Sequence, residues 1–279
     1  MAEQRQVSTV GYTVRHHYRY VYSSPIFDVK QRLIMIPPDR HADQVLVSFD
    51  LDVRGTEGHL GIDWQTDPFG NRVCRVEAER VNHALDFEVR FTVRRGGGSA
   101  LAPDSDHFGA GLGFTALTAR DERMHAAALD IAARASTTQE RAELVHDWTA
   151  GAIAYKVGVT GTQTPASMAL HLGRGVCQDY SHIMLCLLRM LGIPGRYVSG
   201  HLLGEGPPHA WVEVLIDNAI VAYDPTHHRR VGLNYVTVAT GRDFADVTST
   251  SGVFGGTATG KLHWSKQASV LEEVADAAA

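Results

Sequence analysis

The chain is predicted to be an α+β protein: an N-terminal β-sandwich followed by a core in which one helix packs on an antiparallel sheet. Three observations carry this. Apolar residues recur with a period of two through the first third of the chain, and the pattern turns helical after Asp121. A cysteine, Cys177, then opens a helix-like run directly after the glycine turn Gly173-Arg174-Gly175. The layout drawn from these is a β-sandwich domain over 1–95, a linker over 96–115, and the core with a C-terminal strand region over 116–279.

The strands come first. Val10 to Tyr22 is rich in β-branched and aromatic residues, and Val45, Val47, Phe49, Leu51 and Val53 alternate. Asp67-Pro68-Phe69-Gly70-Asn71 reads as a turn before a strand from Arg72 to Val81, and Asp86 to Val93 alternates again. Several short strands separated by turn signals suggest the sandwich. Gly96-Gly97-Gly98-Ser99 begins the linker.

Helical signals follow. Asp121 to Ala135 is alanine-rich. Thr138, with Thr137 a close competitor, caps a helix carrying Leu144, Val145 and Trp148 on one side. Thr164-Pro165 starts a short helix that Gly173 and Gly175 stop. The Cys177 helix ends before Gly192-Ile193-Pro194, because glycine suits the C-terminal cap and proline cannot continue the helix. Gly195–Leu203, Ala210–Ile216 and Ile220–Asp224 read as strands, and Lys261 to Val270 as a further one. The terminal Ala277-Ala278-Ala279 is expected to fray.

Composition narrows the function classes. The chain has 279 residues, 44% hydrophobic and 20% charged, enough for a sizeable core. A formal net charge of −5 with no basic run argues against nucleic acid as a partner. The longest apolar stretch, Ile183 to Leu188, is far too short to span a bilayer, so no membrane partner is expected. The polar N-terminus lacks an apolar signal region, and three cysteines do not make a disulfide framework. A reduced, cytoplasmic setting is the expectation.

The chemistry centres on Cys177. A cysteine in the first helical turn faces unpaired N–H groups and the positive end of the helix dipole, both favouring thiolate, the nucleophilic form. His209 stands at the start of one expected strand and Asp224 at the end of the next. Asp217-Asn218 between them suits a two-residue hairpin turn, since both residue types tolerate positive φ. In that register Ile216 pairs with Ala219 and Trp211 with Asp224, which makes Asp224 a diagonal neighbour of His209 on one face. Nucleophile, base and orienting carboxylate in that order are the parts of a covalent amide-processing site. The expected partner is a peptide or protein amide. The Cys177 N–H is one oxyanion donor, and Gln178, Gln163 and Tyr155 are candidates for a second.

These segments resemble a known family. Gly175-Val176-Cys177-Gln178-Asp179-Tyr180 is similar to the nucleophile motif of the transglutaminase-like superfamily. So are Leu191 to Gly200, His209-Ala210-Trp211-Val212-Glu213-Val214 and Asp224-Pro225-Thr226. Pro37-Pro38-Asp39-Arg40-His41 and Asp67 to Val73 resemble recurring segments of the N-terminal β-domain found in its bacterial members, and Arg242 to Val247 resembles their C-terminal stretch. The resemblance implies a papain-like core of the cysteine-protease type with Cys177, His209 and Asp224 as its catalytic triad. It leaves open hydrolysis, transglutaminase-type acyl transfer to an amine, or a non-catalytic binding module on the same fold. The chain is short relative to animal transglutaminases and shows no calcium loop.

Other conspicuous residues have plainer readings. Cys74 and Cys186 sit in apolar segments and read as small buried hydrophobes. Asp179 and His182, three apart on one helix, could pair as structural support. The chain has fifteen histidines, His227-His228 among them, but neither Cys-x-x-Cys nor His-Glu-x-x-His, so no metal or cofactor is expected. Trp211 could shield the His–Asp pair or fill core, and Glu213 shares its face of the strand.

Overall fold

A computed structural model describes residues 7–96, 108, 113–204 and 206–275. Most of the expected linker and the terminal alanines lie outside the described residues. The chain divides into two compact units: one takes the N-terminal stretch, Leu203–Pro207 and everything from Thr248, the other Ala100–Leu202 and Pro208–Val247. No helix among the described residues is long and apolar enough to cross a membrane.

The first unit is a seven-stranded antiparallel sheet. Its strands are β1 (Val7–Tyr22), β2 (Ile26–Leu33), β3 (Arg40–His41), β4 (Gln44–Thr66), β5 (Arg72–Gly96), β13 (Thr250–Gly255) and β14 (Gly260–Ala275). The sequence expects a sandwich of short strands, whereas the hydrogen bonding is that of one continuous network. The cause is β5, which has no glycine or proline between Val81 and Asp86 to break it. It runs for 25 residues, pairing with β2 through its first half, with β1 through its second, and with β4 throughout. Val76, Val81, Leu85, Phe87, Val89, Phe91 and Val93 along it are buried. The turn before β5 closes as expected: Asp67 Oδ1 accepts from the N–H groups of Phe69 and Asn71 at 2.9 and 3.0 Å.

The C-terminal strands join this unit. β14 pairs with β1 from Gly260 to Ala275, and β13 pairs with β2. The segment that sequence groups with the core is thus hydrogen-bonded to the N-terminal sheet, because β1 offers it an open edge of sixteen residues.

The second unit has four described helices: α1 (Glu122–Arg134), α2 (Thr138–Ala152), α3 (Ala166–Leu172) and α4 (Cys177–Met190). Asp121 caps α1, and Thr137 rather than Thr138 caps α2, in a capping box with Glu140. Pro165 sits at the N-cap of α3, one residue later than the sequence suggests, while Thr164 Oγ1 accepts from Gly161 N at 2.9 Å. The helix α4 is buried along Ile183–Leu188 and packs on a five-stranded antiparallel sheet of order β11-β10-β9-β8-β12. Its strands are β8 (Gly195–Leu202), β9 (His209–Ile216), β10 (Ala219–Asp224), β11 (Arg229–Arg230) and β12 (Tyr235–Gly241). A two-residue parallel bridge joins β6 (Ala154–Tyr155) to β7 (Arg174–Gly175), just before α4.

The β9–β10 hairpin fixes the register on which the site depends. Ile216 pairs with Ala219, and the ladder continues to Tyr223 opposite Val212, so Asp224 follows opposite Trp211. Asp217 and Asn218 have φ of 48° and 63°, the two left-handed positions of a type I′ turn. Asn218→Val should lower stability by about 1–2 kcal/mol, since a β-branched residue resists that conformation. Asn218→Gly should leave it unchanged or raise it; urea unfolding followed by circular dichroism checks both.

Candidate active site

Four elements of the second unit position the site. Cys177 is the first residue of α4, reached through Gly173 in the left-handed conformation at φ 63° and through the buried Gly175. No side chain at Val176 caps the helix. Instead Asp179 Oδ2 reaches back to accept from Val176 N and from Thr160 Oγ1, both at 2.7 Å. Gly175 makes this possible, because a Cβ there would lie 2.6 Å from the same Oδ2. The helix start is therefore anchored by a buried carboxylate, and the first-turn N–H of Cys177 has no intrahelical acceptor.

Cys177 is partly exposed, while Cys74 and Cys186 are buried. Burial pushes both of those thiols up to about 12, so neither serves as a thiolate at neutral pH.

His209 opens β9 and is buried. Its Nε2 lies 2.8 Å from Asp224 Oδ2, the diagonal neighbour expected from the hairpin register. With Nε2 on the carboxylate, Nδ1 is the ring atom left for the thiol. Burial pulls the imidazole pKa down, but hydrogen bonds to Asp224 and to Cys177 outweigh it and raise the value to about 9. The structure thus brings the three predicted residues together: Asp224 is hydrogen-bonded to the imidazole, and Cys177 lies near enough to help raise its pKa.

Asp224 has 0% exposure and ends β10. Its Oδ2 accepts from His209, from His227 Nδ1 at 2.8 Å and from the Tyr235 hydroxyl at 2.6 Å. Its Oδ1 accepts from the backbone N–H groups of Thr226 and His227 at 3.0 and 3.2 Å. Burial would raise the carboxyl pKa, yet His209, Tyr235 and His227 together hold it well below the usual range. The backbone carbonyl of Asp224 receives His146 Nε2 at 3.1 Å, tying α2 to the end of β10.

Sequence reasoning did not find Tyr235, Arg229 or His146. β12 carried no strand signal that was read, and Tyr235 reaches Asp224 although β12 and β10 are not neighbours in the sheet. His227, three residues after Asp224, also reaches its carboxylate, a contact that the His227-His228 pairing in the sequence does not signal. Trp211 fills core and lies beside the His209 ring. It packs in an apolar cluster with Val198, Leu202 and Tyr235, and its ring lies 6.3 Å from the His209 ring in a stacked orientation.

Other expectations change. Asp179 and His182 do not pair: Asp179 holds the helix start, and His182 Nε2 accepts from Phe244 N at 3.1 Å. Glu213 forms a buried ion pair with Arg196 at 2.7 Å and supports the sheet. Gln178 donates to the Gly161 carbonyl at 3.3 Å, which turns its amide toward the 161–162 loop.

Among the described residues, two clusters place metal-ligating atoms within 4.8 Å of one another: His209–Asp224–His227 and His146–Asp147–His228. In the first, the ligand atoms bond each other. In the second, His146 Nε2 is on the Asp224 carbonyl and His228 Nε2 is 2.8 Å from Asp147.

Comparison with known proteins bears on the family and the fold. The profile described as the transglutaminase-like superfamily matches residues 125–225, and that of the bacterial transglutaminase-like N-terminal region matches 12–94. The chain is 40% identical over 119 residues to protein ML0607 of Mycobacterium leprae, covering 39% of this chain and 42% of that protein. It is 32% identical over 115 residues to protein Rv2569c of Mycobacterium tuberculosis, covering 36% and 37%. It therefore spans about two fifths of the length of these curated relatives. A crystal structure described as "a putative cysteine protease" from Cytophaga hutchinsonii superposes with TM-score 0.77 at 22% identity, covering 95% of this chain and 91% of that one, and shares the fold. With its N-terminal β-region and its core both matched, the chain belongs to the transglutaminase-like superfamily.

Proposed function

We propose that the protein is a thiol-dependent amide hydrolase that works through Cys177, His209 and Asp224. The observation that carries this reading is the buried 2.8 Å His209–Asp224 pair, with the one cysteine of the chain that is not buried interacting with the same imidazole. The imidazole takes the thiol proton, giving a thiolate–imidazolium pair that Asp224 stabilises. The sulfur attacks the carbonyl carbon of a peptide, isopeptide or glutamine amide, and the Cys177 N–H faces the developing oxyanion. The C–N bond breaks as His209 delivers its proton to the departing amine, leaving a thioester on Cys177. Water, deprotonated by His209, then attacks the thioester and frees the carboxylic acid. An amine in place of water would make the same intermediate serve acyl transfer, the alternative this site chemistry permits.

Three results would test the reading. Wild-type protein should react with iodoacetamide at pH about 6 at a rate on the order of 10-fold or more above a free thiol, whose thiolate is scarce there. Cys177→Ala should abolish that labelling, and persistence at an unchanged rate sinks the nucleophile assignment. Incubation with a glutamine-containing peptide library should give a mass adduct on Cys177. Ammonia or amine release without incorporation of a fluorescent primary amine marks hydrolysis, and incorporation marks transfer.

The raised imidazole also makes a pH prediction. A group whose folded pKa lies above its unfolded value stabilises the fold fully below the unfolded value, near 6.5 for histidine, and loses that contribution through the folded value of about 9. Unfolding free energy should fall across this window in the wild type. His209→Gln should flatten the slope, and an equal slope in both proteins would show that the pair does not stabilise the imidazolium.

A further inference from the structure

The Asp224 oxygen that faces His209 is shared. Tyr235 opens β12, is 1% exposed, and lies 5.3 Å from Trp211, edge to face, and 6.0 Å from His209. Its hydroxyl donates to Asp224 Oδ2 at 2.6 Å, beside His209 Nε2 at 2.8 Å on the same atom. The hydroxyl in turn accepts from Arg229 Nε at 2.8 Å, with the guanidinium 5.4 Å from the ring centroid. A donor that accepts from a cation is polarised and bonds more strongly. Burial, followed by the carboxylate, pushes the phenol's ionisation well above its ordinary value, so the O–H keeps its proton.

Three donors on one carboxylate oxygen, His209 Nε2, His227 Nδ1 and the Tyr235 hydroxyl, divide its charge. Each reduces the charge the others feel, so the phenol limits how strongly Asp224 stabilises the imidazolium. An over-stabilised imidazolium would release its proton to a departing amine less readily. The ring itself packs against Trp211 and His209, and its hydroxyl fixes one direction from which Oδ2 accepts.

We propose that Tyr235, backed by Arg229, is a positioning residue that orients the Asp224 carboxylate and tempers the basicity of His209. This rests on the reading of Cys177, His209 and Asp224 given above. The groups facing His209 include Cys177 from α4, Asp224 from the end of β10, His227 from the turn after it and Tyr235 from β12. Those facing the Tyr235 hydroxyl include Asp224 and Arg229.

The test is the titration of His209 followed by ring nitrogen NMR from about pH 6 to 11, with its signal assigned by loss in His209→Gln. In Tyr235→Phe, which keeps the ring and removes the hydroxyl, the His209 pKa should move upward by roughly half a unit. Arg229→Gln should move it in the same direction by less. A merely structural tyrosine would change the melting temperature and leave this titration in place. Superimposable titrations in all three proteins overturn the proposal, and if Tyr235→Phe fails to fold, Arg229→Gln decides alone. A wild-type His209 that titrates at the ordinary imidazole value would instead sink the reading of the site, and this proposal with it.

Discussion

A buried carboxylate organises the second unit. Moving an unpaired carboxylate out of water costs several kcal/mol, so Asp224 with 0% exposure is tolerated only if its lone pairs are filled. Five donors fill them: two imidazoles, one phenol and two backbone N–H groups. Hydrogen bonds to a charged group are worth about 1.5–3 kcal/mol each, so the set outweighs the penalty. The donors come from β9, β12 and the turn after β10, while α2 is held at the carbonyl of the same residue. One residue therefore ties a helix and three parts of the sheet into a fixed geometry around His209.

Cys177 is placed by a second buried carboxylate with the opposite assignment. Asp179 holds the backbone of Val176 and the hydroxyl of Thr160, and so defines where α4 begins. Burial raises its pKa despite these donors. The pair shows how two acids in one unit take different roles from their surroundings: Asp224 works on a side chain, Asp179 on a helix terminus. Gly175 lets the second arrangement exist, since any larger residue would occupy the space of the carboxylate.

The first unit illustrates a different constraint, that of an open strand edge. β1 is bounded on one side by β5 and on the other by β14, from the far end of the chain. The last strands therefore join the sheet begun by the first, and β14, sixteen residues long like β1, is long enough to pair along its length. The apolar positions of β4 are less deeply placed than their pattern suggests: Val47 and Phe49 are exposed. Phe49 instead packs against Trp64 at 5.4 Å and under the Arg72 guanidinium at 4.6 Å.

Local signals made much of this readable. Glycine turns, the Asp217-Asn218 hairpin and the proline after Gly192 are short-range chemistry, and they located α4, β9 and β10 within a residue or two. Hairpin parity follows from the period of two, so the facing of His209 and Asp224 was legible before any coordinates. Long-range pairing was not. Whether 72–81 and 86–93 are one strand, whether 260–275 joins the N-terminal sheet, and which tyrosine reaches Asp224 depend on partners far away in sequence, and no local pattern encodes them. Tyr235 is eleven residues from Asp224 along the chain and meets it although β12 lies at the other edge of the sheet from β10 and β11. A side chain's residue type and spacing state what it is able to do; which neighbours share its hydrogen bonds is set by packing.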